Sequence, residues 1–227
     1  LRDHLQRRAL SPANVVFALP VMKLLGTITG EGFTCSIDEL DDGSVTFLAD
    51  ADIDADGAPH AYHAINSLGL DDLRNARDNE GNFCGILTDR YGHPLIQGPD
   101  DPAPGWYIST TTYELKDQPA NTQRRFVNAE TVPFIVIPPL IIQRTRGIVM
   151  GCKALVTDTR TGRQVVCMVA DQGPRTRVGE ISIAAAKALA IPFSPRTGGI
   201  DKPVFRYQLW PGIPAEVNGV NYQLQAA

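Results

Sequence analysis

Short apolar runs alternating with polar residues recur along the chain, and they predict strands at 15–19 (VVFAL), 33–37 (FTCSI), 44–50 (SVTFLAD), 105–111 (GWYISTT), 133–138 (PFIVIP), 147–158 (GIVMGCKALVTD), 163–171 (RQVVCMVAD) and 204–210 (VFRYQLW). The clearest hairpin joins the strand ending at Asp158 to the one starting at Arg163, because Gly162 can take the positive φ of a tight loop. One helix is well signalled, from Ser182 to Ala190, where Ile181, Ala184, Ala185, Ala188 and Leu189 form an apolar face. Residues 1–9 read as a helical turn or a remnant that Pro12 ends.

This pattern predicts a mainly β chain, a barrel with long loops and one or two short helices. At 227 residues and 43% apolar composition the chain is long enough for one proper core, expected over 13–227 with 1–12 as an extension. The 17 prolines favour ordered loops over flexible linkers.

A net charge of −4 argues against nucleic acid and anionic lipid as partners and suits a cationic ligand better. The longest apolar run, Phe134 to Ile142, is divided by Pro138 and Pro139 and is too short to cross a bilayer, so no membrane partner is expected. No signal peptide is visible in the opening LRDHLQRRAL. Cys35, Cys84, Cys152 and Cys167 are widely spaced, which leaves two disulfides and four buried thiols equally open. The segment from Asp52 to Gly57 copies the first half of a calcium loop, but His63 stands where the closing Glu belongs; no metal site is expected. His60 and His63 have no Cys or third His beside them, and structural hydrogen bonding is their default.

Two acids frame one turn in VADQGPRTRVGEIS, Asp171 and Glu180. Taken alone, Asp171 reads as an Asx turn toward Gly173, and Glu180 or Ser182 as a helix cap. A strand hairpin, Asp-x-Gly-Pro, a short loop and a small-residue helix together resemble the second half of a double-psi β-barrel, as in rare lipoprotein A domains, expansins and family 45 endoglucanases. More specifically, the chain resembles the chitosanases of glycoside hydrolase family 75. Six blocks carry the resemblance in order: ADIDADGAPHAYH, GLDDLRNA, PLIQGPDDPAPGWYISTT, RRFVNAETVPFIVIP, VADQGPRTRVGEISIAAAKALAI, and PRTGG with WPG.

The resemblance implies a six-stranded double-psi barrel and an extracellular, inverting chitosanase with Asp171 and Glu180 as its essential carboxyl groups. Glu180 takes the place of the proton donor in the related barrels, and Asp171 that of the base. Asp54 and Asp56 are expected in the substrate groove, where carboxylates would bind glucosamine ammonium groups. Tyr62, Trp106, Tyr107 and Glu130 complete the expected substrate-binding set, with the two aromatics of GWY stacking on sugar rings. The expected partner is chitosan or a related cell-wall glycan, with no cofactor, and the protein a monomer. Arg175 and Arg177 beside the acids would repel glucosamine and favour an acetylated or anionic glycan instead. The competing readings are a peptidoglycan-cleaving enzyme, an expansin-like wall-binding module, and a calcium-dependent adhesion domain.

Overall fold

The computed structural model describes residues 22–30 and 32–226. The strand expected at 15–19 and the helical turn expected at 1–9 lie outside the described residues.

Among the described residues ten strands and two short α-helices follow one another: β1 (Lys23–Gly30), β2 (Phe33–Glu39), β3 (Val45–Asp54), β4 (Phe134–Ile137), α1 (Pro139–Arg144), β5 (Cys152–Asp158), β6 (Gln164–Gln172), β7 (Glu180–Ser182), α2 (Ile183–Leu189), β8 (Ile200–Pro214), β9 (Glu216–Val217) and β10 (Val220–Asn221). Six of them close a ring in the order β3-β7-β4-β6-β5-β8, with β8 pairing back onto β3. The fold is thus mainly β, a closed six-stranded barrel with β1 and β2 as a hairpin outside the ring. Two pairs in the ring, β3 with β7 and β4 with β6, run parallel; the others are antiparallel. Five of the six barrel strands follow the long connection after β3, and only β3 precedes it.

Alternation sets which face of each strand is buried. Along β3, Val45, Phe47, Ala49, Ala51 and Ile53 point into the core. Phe47 stacks on Tyr207 of β8 with ring centroids 4.9 Å apart and an interplanar angle of 6°. Small residues such as Ala49, Ala51 and Ala154 are fully buried beside Phe134, Phe205 and Met168, the mixture a narrow barrel needs to fill its interior. Each large side chain so buried contributes about 1.5–3 kcal/mol.

Hairpin β5–β6 forms as expected, closed by Asp158 N–H to Arg163 O (2.9 Å) and Gly162 N–H to Asp158 O (2.8 Å). Helix α2 starts at the expected place because Ser182 caps it, its hydroxyl accepting from Ala185 N at 3.2 Å. The same hydroxyl accepts from Phe134 N at 3.0 Å and donates to Val132 O at 2.9 Å, which ties the helix start to β4.

Several elements differ from the sequence pattern, among them β1, β7, β9 and β10, which no predicted strand covers. The apolar run after Pro138 turns into α1, with Pro139 at its first position, where a missing N–H costs nothing. The expected strand 147–158 starts only at Cys152. The expected strand 105–111 is not a continuous strand; Tyr107 and Ser109 make only isolated bridges to Ile96 and Ile86.

That last segment belongs to the long connection 55–133, whose order comes from buried glutamines. Gln123 accepts from Ser109 N (2.8 Å) and donates to Gly57 O (2.9 Å) and Ser109 O (3.0 Å). Gln97 donates to Pro59 O (2.6 Å) and Tyr107 O (3.0 Å) and accepts from Ala103 N (3.0 Å). These side chains satisfy backbone groups that a ladder would otherwise pair. All four cysteines are free thiols, and Cys84 is exposed.

Candidate active site

The parallel strands β3 and β7 and the end of β6 bring acidic residues to one mouth of the barrel. On β3, Asp52 and Asp54 alternate with the inward Ile53 and so share the opposite face. The register then sets Asp52 beside Glu180 and Asp54 beside Ser182. On β6, a break in register lets Asp171 stand opposite Val136 while Val169 stands opposite Ile135, so Ala170 is the extra residue. A bulge of this kind re-aims the side chain that follows it. Asp54, Asp56, Tyr62, Asp171 and Glu180 all line a single cleft of about 1060 Å³. That volume lies at the upper end of what small-molecule sites occupy.

Asp171 is 9% exposed, and three donors fall on its Oδ1: Thr112 Oγ1 at 2.6 Å, Thr112 N at 2.9 Å and Gln172 N at 2.7 Å. Its Oδ2 accepts none among the described residues. The Asx turn toward Gly173 does not form; the Gly173 N–H bonds Ile137 O at 3.1 Å instead. Burial raises the Asp171 pKa, and the bonds from Thr112 oppose that rise. Glu180 does not cap α2, since Ser182 does; its Oε1 lies 4.0 Å from Arg177 Nη1.

Asp54 and Asp56 are half-buried in the same cleft. Asp56 N donates to Asp54 Oδ1 at 2.8 Å, and the buried Tyr62 hydroxyl donates to Asp56 Oδ1 at 2.7 Å. Both carboxyl groups have pKa values pushed well up, first by burial. The charges of Asp56, Asp171 and Glu180 then add to the effect on Asp54, and those of Asp171, Asp71 and Glu180 to the effect on Asp56.

Of the four arginines that line the cleft, Arg177 lies beside Glu180 and Asp52, and the other three are engaged elsewhere. Arg74 forms a fork with Asp72, Nε to Oδ1 at 3.1 Å and Nη2 to Oδ2 at 3.3 Å. Arg77 donates to Gly81 O and lies 3.7 Å over the Phe83 ring. Arg196 donates to the carbonyls of Asn66, Gly69 (3.1 Å) and Asp71 (2.7 Å), clamping one wall of the cleft.

Three of the expected substrate-binding residues do not line this cleft. Trp106 packs between His60 and His63, with ring centroids 5.2 and 4.8 Å away. Tyr107 leans toward Phe83 at 6.3 Å, and Glu130 lies 3.6 Å from His60 Nδ1. Tyr107 is held by its bridge to Ile96 and by its N–H bond to Tyr62 O (3.1 Å), and its ring packs against the common core. Conversely, the cleft includes Asp52, Asp71, Asn75 and Thr112, which sequence reasoning did not single out. Asp71 and Asn75 fall within the GLDDLRNA block, whereas nothing in the run TTTYE marks Thr112 as the residue that holds Asp171.

Among the described residues no group of three or more His, Cys, Asp and Glu side chains is arranged to hold a metal ion, and no helix is long and apolar enough to cross a membrane. The sequence matches no protein-family model, and no curated protein matches it.

Proposed function

We propose that this protein is a glycoside hydrolase of the family 75 type, which cleaves β-1,4 bonds of chitosan with inversion, outside the cell and as a monomer. Glu180 is the proton donor to the leaving oxygen, and Asp171 is the base that activates water. The observation that carries the reading is that these two acids, already paired by the sequence resemblance, border the same cleft as Asp54 and Asp56. Glycoside hydrolysis passes through an oxocarbenium-like state and needs this division of labour between two carboxyl groups. An inverting enzyme holds them roughly 6.5–9.5 Å apart, leaving room for the water.

Burial supports the base assignment, since a carboxylate with a raised pKa is a stronger proton acceptor. Thr112 fixes its orientation through two bonds to one oxygen, which leaves the other oxygen for water. A cationic glycan also fits the electrostatics. Arg74, Arg77 and Arg196 are engaged with groups of their own walls and Arg177 lies beside Glu180, while acidic residues outnumber these arginines along the cleft.

The test is incubation with soluble chitosan, followed by mass analysis of the oligomers and NMR of the fresh reducing ends. Glucosamine oligomers released as α-anomers support the reading. Anhydro-sugar products from peptidoglycan, with chitosan left intact, would replace it by the lytic alternative, and binding of either polymer without cleavage would replace it by the wall-binding module.

A further inference from the structure

Asp54 differs from every other acid in the cleft. Its Oδ1 accepts the Asp56 N–H, but its Oδ2 is shut off from solvent and meets no hydrogen-bond donor. An ionised carboxylate with one oxygen desolvated and unpaired is among the costliest arrangements a protein can hold. Carboxyl groups face Asp54 from each neighbouring element: Asp52 on β3 itself, Asp56 just beyond the strand end, Asp171 from β6 and Glu180 from β7. The nearby hydroxyl, on Tyr62, is spent on Asp56. Arg177, a cation at this end of β7, acts on Glu180 and on Asp52. Asp171, by contrast, has three donors on Oδ1 and none on Oδ2, so it is prepared to carry charge, and the two lone pairs of Oδ2 can accept from Asp54 as well as from the water.

We infer that Asp54 is a positioning residue that keeps its proton in the resting protein and offers that O–H to the carboxylate of Asp171, holding Asp171 ionised and ready to act as base. This rests on the hydrolase reading for the role of Asp171, although the protonation of Asp54 stands independently of it. Burial and the charges of Asp56, Asp171 and Glu180 all push the Asp54 pKa in the required direction. A donor aimed at a carboxylate favours its charged form, so the arrangement lowers the Asp171 pKa from the value burial alone would set. Asp54 thus supports the base, and the attraction for an ammonium falls to the carboxylates that stay ionised.

Two substitutions separate this role from that of an ionised ligand. Asp54→Asn keeps a neutral donor of the same size, so it should retain at least about a tenth of the wild-type kcat on chitosan, where loss of a true acid or base costs ~10²–10⁴-fold. Asp54→Leu removes the donor, so the acidic limb of the pH profile of kcat should move to higher pH as the Asp171 pKa rises. Asp54→Asn as damaging as Asp171→Asn, or an Asp54→Leu profile with its acidic limb in place, overturns the inference. Carbon-13 NMR of aspartate-labelled wild-type protein needs neither variant nor activity. One carboxyl carbon should still report the protonated form near neutral pH, and a spectrum in which every aspartate is ionised overturns the proposal. That spectrum reads the proton whether or not chitosan is cleaved, so failure of the hydrolase reading and failure of this one are distinct results.

Discussion

Glu180 Oε2 occupies the space beside Gly173 so closely that a β-carbon on Gly173 would lie 2.9 Å from it, and 3.0 Å from Val136 Cγ1. The glycine of the Asp-x-Gly-Pro turn is therefore there for what stands next to it. Its N–H is held by Ile137 O at 3.1 Å, which fixes the turn against β4 and leaves the Glu180 side chain as the part that yields. Gly173→Ala should shift the Glu180 carboxyl by a few tenths of an ångström and more, while the barrel stays folded. Since misplacement of a reacting group by about 1 Å can cost 10²-fold, kcat on chitosan should fall roughly 10- to 100-fold with Tm nearly unchanged. Steady-state kinetics beside a thermal melt checks this, and an unaltered kcat would mean that Glu180 is not the proton donor.

Replacing either acid by its amide should abolish most of the activity without unfolding the protein. Glu180→Gln cannot protonate the leaving oxygen, and Asp171→Asn cannot take a proton from water, so each should lose ~10²–10⁴-fold in kcat. The Asn side chain still accepts from Thr112 through its oxygen, which preserves the local hydrogen bonding. Added azide should restore turnover in Asp171→Asn and not in Glu180→Gln, because the anion replaces the missing base on the water's side of the sugar. The reverse pattern of rescue would exchange the two roles. A variant that keeps more than about a tenth of the rate has lost less than about 1.4 kcal/mol of transition-state stabilisation and is not the catalyst.

The pH dependence of stability follows from opposite displacements. Asp54, Asp56 and Asp171 have folded pKa values raised above their unfolded ones, chiefly by burial, so the folded protein holds extra protons and loses stability as pH rises above about 4 toward their folded values. Asp158 is displaced the other way, to about 2, by its hydrogen bonds from Arg160; its contribution is present above the unfolded value and is lost as pH falls toward the folded one. Stability should therefore peak at mildly acidic pH and decline toward neutrality. Asp54→Asn should raise Tm near neutral pH and leave it unchanged near pH 4, where the wild-type carboxyl is protonated anyway. A tenfold change in proton affinity is worth about 1.4 kcal/mol, or about 3–6 °C in a chain of this size. Calorimetric melts across that range test the sign, and a Tm that rises steadily to neutral pH in the wild type would contradict it.

The elements legible in the sequence are those whose signal is local. Period-two alternation marks β3, β5, β6 and β8, the Thr-Arg-Thr-Gly turn joins β5 to β6, and Ser182 followed by small apolar residues announces α2. The acids Asp171 and Glu180 were legible for a similar reason, since a single turn holds both. Neither alternation nor turn chemistry says which strands become neighbours. The pairing of Thr46 with Gln208 closes the ring across nearly the whole chain, and nothing near either residue specifies it.

Tertiary structure alone decided the rest of the cleft. Trp106, Tyr107 and Glu130 looked like substrate-binding residues by type, yet the connection 55–133 folds on its own buried glutamines and leaves them out of the cleft's lining. Those glutamine bonds leave no periodic trace, because a side chain that replaces a ladder partner can come from any point in the chain. Thr112 and Asp71 entered the site by the same route, through contacts to Asp171 and Arg196 that link segments far apart in sequence. What the sequence by itself determined was β2 to β6 and β8 in part, the hairpin and the helix, each written in neighbouring residues. The closure of the barrel and the company Asp171 and Glu180 keep depend on long-range burial, which only the folded chain expresses.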